Sequence, residues 1–171
     1  MFEYIRKGRV LVMGYPRCGS HIAAVMVAYD TGLCYAHEDR WGKRDPDGLV
    51  AYIETHAGFV TPAPGIADFA RFGARDDVFI LLVRRPADEI RTSSLRVKGG
   101  LARLSDEEAH RRIGDRYARW ERCKPVIGHY EEIEYHELAD HPLWQPATAR
   151  REFTQVQIHP TLDYQDLVSV C

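Results

Sequence analysis

The stretch Arg9 to Met26, RVLVMGYPRCGSHIAAVM, constrains this chain more than any other. Val10 to Met13 is a short apolar run that ends at Gly14. Tyr15-Pro16-Arg17-Cys18-Gly19 follows as a tight turn, and Ser20 opens a second apolar run through Ala28. A strand over Val10–Met13 and a helix over Ser20–Tyr29, joined by a glycine-bearing turn, aim several backbone N–H groups at one place. The first four donors of a helix have no intrahelical partner, so an anion can take them. Arg17 adds a planar five-donor fork beside them. Similar strand–turn–helix units also occur without ligands in α/β proteins. The spacing from Gly14 to Gly19 matches the first part of G-x-x-x-x-G-K-[ST], but Ser20-His21 stands where Lys-Ser/Thr is needed. An ordinary ATPase or GTPase is disfavoured by that substitution.

Length and charge narrow the field. At 171 residues the chain has room for one domain with a substantial core. Its 23 basic and 25 acidic side chains leave a net charge of −2, which gives no bulk reason to expect nucleic-acid binding. No apolar run approaches the roughly 18 residues of a membrane span, and MFEYIRKGRV lacks a signal-peptide core. Cys18, Cys34, Cys123 and Cys171 show no C-x-x-C spacing, so reduced thiols in a cytoplasmic setting are the simplest expectation. No H-E-x-x-H pattern supports a metal site.

Further along, Tyr35–Gly48 is polar and rich in turn formers. It reads either as a solvated connection or as a polar acceptor pocket lined by His37, Glu38, Arg40, Trp41, Lys43 and Arg44. Leu49–Glu54 has the composition of a second strand running into Thr55-His56, and Phe59–Gly65 reads as a proline-broken loop. One or two helical turns are expected over Ile66–Phe72. Val78–Val83 is a continuous apolar run suited to a central parallel strand. It empties into Arg84-Arg85-Pro86 and a helix. Ser105 with Glu108 forms a capping box for a helix running to about Cys123. A fourth parallel strand is expected over Pro125–Tyr130, a turn or short helix over Glu131–Ala139, and a late edge strand over Phe153–Ile158.

Three features thus follow expected parallel strands: Arg17–His21, Thr55-His56 and Arg84–Thr92. The carboxyl ends of parallel strands share one edge, where ligands bind. Arg84 reads as a second anion ligand or as the partner of a carboxylate at the sheet edge. His56 reads as a general base or as a structural histidine.

These residues resemble the sulfotransferases that use 3′-phosphoadenosine 5′-phosphosulfate. Tyr15-Pro16-Arg17-Cys18-Gly19-Ser20 is similar to that family's 5′-phosphosulfate loop. Val83 to Thr92, VRRPADEIRT, resembles its 3′-phosphate segment, Glu54-Thr55-His56 its K-T-H segment, and His129 to Ile133 its late Y-E-D-L segment. Cys18 stands in place of the common serine, His21 in place of a small hydroxyl residue, and Ile22 where tryptophan often meets adenine. The resemblance implies a single domain over residues 1–171. It would be a three-layer α/β, P-loop-like fold with a mainly parallel central sheet, transferring a sulfuryl group to a hydroxyl or amine of a small molecule or glycan. It assigns Arg17 to the transferring group, and Cys18, Gly19, Ser20 and His21 to the 5′-phosphosulfate. Arg84 and Thr92 take the 3′-phosphate, His56 activates the acceptor, and no metal is required. The alternatives are a divergent P-loop phosphotransferase and a noncatalytic adenine-nucleotide-binding regulator.

Overall fold

A computed structural model describes residues 1–144 and Ser169. Its centre is a five-stranded parallel sheet built from β1 (Arg9–Gly14), β2 (Cys34–Tyr35), β3 (Phe59–Pro62), β4 (Phe79–Arg84) and β5 (Tyr130–Glu134), in the spatial order β2-β3-β1-β4-β5. The register sets Val10 beside both Val60 and Phe79, and Arg84 beside Glu134. Five helices cover the sheet: α1 (Ser20–Thr31), α2 (Pro46–Thr55), α3 (Phe69–Gly73), α4 (Ala87–Arg96) and α5 (Asp106–Cys123).

The two-residue alternation of a strand divides the core in two. Val10, Val12, Leu81 and Val83 face α1 and pack with Ala23, Ala24, Val27, Ile90 and Ile113. Leu11, Met13, Ile80 and Leu82 face the other way, toward Leu49 and Ile53 of α2, Phe69 and Phe72 of α3, and Trp120. All eight strand residues are inaccessible to solvent, which explains why Val78–Val83 shows no polar alternation. The described helices include none long and apolar enough to cross a membrane.

Ser105 caps α5 as its spacing implies, its Oγ accepting from Glu108 N–H at 3.2 Å. Ala109 and Ile113, near the start of this helix, belong to the first core, and Trp120, near its end, to the second. In between, Arg116 reaches the carbonyl of Gly14, and Tyr117 Oη accepts from Arg85 N–H at 3.2 Å. A single helix therefore bridges both faces at the carboxyl ends of β1 and β4.

Three expected elements differ. Leu49–Glu54 is not a strand but most of α2. Asp45 accepts from Asp47 N–H at 3.0 Å and Pro46 takes the first helical position. Leu49, Tyr52 and Ile53 are buried at helical spacing. Phe59–Gly65 is not wholly loop, because Phe59–Pro62 is β3. Pro62 is tolerated as the last residue of that strand, and Ala63 N–H resumes the ladder to Val12 O at 2.8 Å. The fourth-strand expectation is displaced: Lys124–Val126 is a 3₁₀ turn, β5 begins at Tyr130, and Tyr135–Asp140 forms another 3₁₀ segment. His129 to Ile133 thus largely makes a core strand instead of following one. The expected strand over Phe153–Ile158 lies outside the described residues. Cys18 and Cys123 are free thiols, whereas Cys34 is disulfide-bonded, which corrects the expectation of uniformly reduced cysteines.

Candidate functional site

The β1–α1 loop adopts the backbone conformation of an anion cradle. Gly14, Arg17 and Gly19 have φ of 147°, 79° and 106°. Cys18 N–H closes a turn on Tyr15 O at 2.9 Å, and Ala23 N–H bonds Gly19 O at 3.0 Å. Gly19 immediately precedes α1 and no side chain caps that helix, which leaves its first turn open to an anion. Both glycines are sterically required. A Cβ at Gly14 would come within 2.6 Å of Val83 O, and one at Gly19 within 2.6 Å of the Tyr135 ring. Cys18 turns its side chain into the core, and burial pushes the thiol up to about 11, so only its backbone faces the loop. Ser20 is likewise buried.

Two arginines meet at this loop. Arg17 Nε–H donates to Ser93 Oγ of α4 at 3.3 Å. Arg85 Nη1–H donates to Arg17 O at 3.1 Å, its Nε–H to Glu89 at 3.0 Å, and its guanidinium lies 3.9 Å from the centre of the Tyr135 ring. Burial, and then the nearby Arg85 charge, lower the Arg17 pKa.

Arg84 is placed differently from the expectation that it binds an anion. It shares the strand face of Leu82, where Glu121 and Glu132 both pair with it, and its guanidinium sits over Tyr117. The carboxylate-partner reading of Arg84 describes this geometry, and Arg85 is the arginine against the loop. Thr92 is exposed, and the neighbouring Ser93 supplies the hydroxyl that meets Arg17.

His56 is not brought to this edge. It caps the end of α2, stacks on Tyr52 with ring centres 4.1 Å apart, and accepts at its carbonyl from Arg9 Nε–H. Arg9 and Phe59 begin their strands side by side, so His56 lies at the amino edge of the sheet. The six residues of β1 put it roughly 16 Å from the cradle at about 3.3 Å per residue. The displacement follows directly from α2 being a helix.

The polar segment after β2 does come to the cradle. Trp41 Nε1–H donates to Thr61 Oγ1 at 3.0 Å and pins the segment on β3. His21, in the first turn of α1, lies 3.3 Å from Tyr35 Oη through Nδ1 and 3.8 Å from Glu38 Oε1 through Nε2, with the His37 ring centre 5.3 Å away. Burial, reinforced by His37 and Arg17, lowers the His21 pKa to about 4, so the imidazole is neutral near pH 7. Burial raises the pKa of Glu38 against the opposing pull of Lys43 and Arg44. A buried carboxylate beside the helix that carries the cradle is suited to accepting a proton. Sequence reasoning named Glu38 only as a pocket wall. The missed signal was the two-residue strand Cys34–Tyr35, which delivers it to the carboxyl edge.

The depressed His21 pKa has a stability consequence. An unfolded imidazole binds a proton below about pH 6.5, whereas the folded one resists until about pH 4, so stability falls as pH drops through that window. The loss reaches about 3 kcal/mol. Glu38 acts in the opposite sense, since its raised pKa lets the folded state bind a proton more readily. Denaturant unfolding of wild type and His21→Gln at pH 7 and pH 4.5 isolates the imidazole: the variant loses less stability on acidification.

No protein-family model and no curated sequence matches this chain. Solved structures do. Shikimate kinase from Acinetobacter baumannii in complex with shikimate aligns with a TM-score of 0.55 at 13% identity, over 78% of this chain and 89% of that one. Shikimate kinase from Bacteroides thetaiotaomicron aligns with a TM-score of 0.50 at 14% identity, over 73% and 85%. The fold is P-loop-like. The three-layer architecture read from sequence, a mainly parallel sheet with helices on both sides, is present. Among the described residues no cluster of three or more His, Cys, Asp or Glu is arranged to hold a metal ion.

Proposed function

We propose that this chain transfers a phosphoryl or sulfuryl group from an adenine nucleotide to a small hydroxyl acceptor. The single observation that carries the reading is the junction of the Gly14–Ser20 cradle with the buried carboxylate of Glu38, through His21. The backbone donors and Arg17 bind the transferring anion, and Arg85 braces Arg17 from behind. The acceptor oxygen attacks the terminal phosphorus or sulfur as its O–H proton passes to Glu38. The bond from that atom to the bridging oxygen breaks, and its electron pair leaves with the nucleotide. The protein's task is alignment and charge stabilisation, because the donor anhydride supplies the leaving group.

Phosphoryl transfer is the reading favoured by the fold likeness to shikimate kinases. Sulfuryl transfer from 3′-phosphoadenosine 5′-phosphosulfate is the second reading, favoured by Ser20-His21 in place of the loop lysine and by Arg17 at the cradle. Calorimetric titration with ATP and with 3′-phosphoadenosine 5′-phosphosulfate separates the two. Incubation of the preferred, labelled donor with a cell extract then identifies the product. Micromolar binding of one donor and a labelled product are expected. Binding of neither donor overturns the proposal, and tight binding without product replaces it with the noncatalytic regulator.

A further inference from the structure

We propose that the acceptor is itself an anion, an alcohol that carries a carboxylate or phosphate, and that Arg44 and Arg116 hold this acidic group. The inference rests on the group-transfer reading above and names the substrate class of the same site.

Arg116 is anchored in an unusual way. Its Nη1 donates to three backbone carbonyls, Gly14 at 3.3 Å, Pro64 at 3.2 Å and Ile66 at 2.6 Å. These fix the guanidinium at the exits of β1 and β3. Its Nε and Nη2 donors have no partner among the described residues. Its Cζ lies 5.6 Å from the centre of the Tyr15 ring, inside the cradle. Burial lowers its pKa, so a neighbouring negative charge would relieve a desolvated cation.

Arg44 approaches from the opposite side of the same turn. Its side chain packs on Gly65, the residue between the two β3-exit carbonyls that Arg116 binds; a Cβ there would come within 2.6 Å of Arg44 Cγ. Arg44 is held at a φ of 65°, a conformation that costs an L-residue roughly 1–2 kcal/mol. It makes no ion pair or side-chain hydrogen bond among the described residues. Its charge acts on both the Tyr15 phenol and the Glu38 carboxylate. Two guanidiniums with unused donors therefore flank one turn beside the proton acceptor.

The placement also separates acceptor from donor. Arg17 and Arg85 stand toward α4, where Ser93 and Glu89 meet them. Arg44 and Arg116 stand toward β3 and the segment after β2. A carboxylate or phosphate in their planar forks would fix one end of the acceptor. Its hydroxyl would then lie beside Glu38 and the cradle. A neutral acceptor would leave these cations uncompensated.

The test uses the full chain saturated with its product nucleotide, ADP or adenosine 3′,5′-bisphosphate. Small hydroxy acids and sugar phosphates are titrated in parallel with their neutral counterparts, the hydroxy amides and parent sugars. Acids or phosphates, but not their neutral partners, are expected to bind. Arg44→Met should weaken that binding at least tenfold, with nucleotide affinity and unfolding temperature unchanged. Which anionic series binds distinguishes carboxylate from phosphate. Arg116→Lys should also weaken it, because a point charge cannot reproduce the fork. Equal binding of the neutral partners, no binding by either anionic series, or an unchanged affinity in Arg44→Met would overturn the assignment. Failure of wild type to bind any nucleotide would instead remove the group-transfer reading, so the two failures are distinct.

Discussion

Replacing Glu38 by glutamine is expected to lower kcat by about 10²–10⁴-fold, the usual contribution of a positioned general base. Glutamine keeps the size and hydrogen-bonding capacity of the side chain but cannot take up the acceptor proton. The pH profile supplies the second readout. Burial raises the Glu38 pKa, so wild-type kcat/KM should climb with pH as this carboxylate ionises, on a limb above the ordinary glutamate range. The limb should vanish in the variant. His56→Ala, at the amino edge beside Arg9, should retain near-wild-type turnover. A large loss in His56→Ala together with full activity in Glu38→Gln would reverse the assignment of the base.

Arg17→Gly should separate activity from stability. The arginine occupies a φ of 79°, where glycine has no Cβ penalty, so the change relieves backbone strain while removing the guanidinium. The unfolded chain gains freedom from the glycine, which offsets part of that relief. Unfolding free energy should therefore stay within about 1 kcal/mol of wild type. Activity should fall by about 10²–10³-fold, the cost of removing one oriented donor from a developing anion. Steady-state kinetics with either donor and urea unfolding at pH 7 check the two halves independently. A destabilisation of several kcal/mol would mean that Arg17 holds the loop more than it serves a ligand.

The parts legible in the sequence are those whose signals are local. Ser105 and Glu108 lie one turn apart and mark the start of α5. The uninterrupted run around Ile80–Val83 could only be a strand covered on both faces. Gly14 and Gly19 carry their own steric reasons. Leu49–Glu54 misleads because Val50, Tyr52 and Ile53 all suit a strand; the deciding helical signal is upstream, in Asp45-Pro46. That one substitution of helix for strand carries His56 to the opposite edge. The fate of Arg84 and Arg85 depends on distant partners. Adjacent positions on a strand diverge, but which one meets the cradle is decided by Glu132 and Glu121, 48 and 37 residues further along. Glu38 escaped because a two-residue strand offers no periodicity to detect.

The bridging course of α5 ties catalysis to integrity. Its two ends are rooted in separate cores, while its middle grips the exits of β1 and β3 and the backbone of Arg85. Such a beam cannot swing as an isolated flap, because lifting it would strip apolar partners from both sides of the sheet together. Softness at the pocket and melting of the whole molecule are consequently the same event seen at different depths, and a ligand clasped beneath the beam strengthens the entire frame.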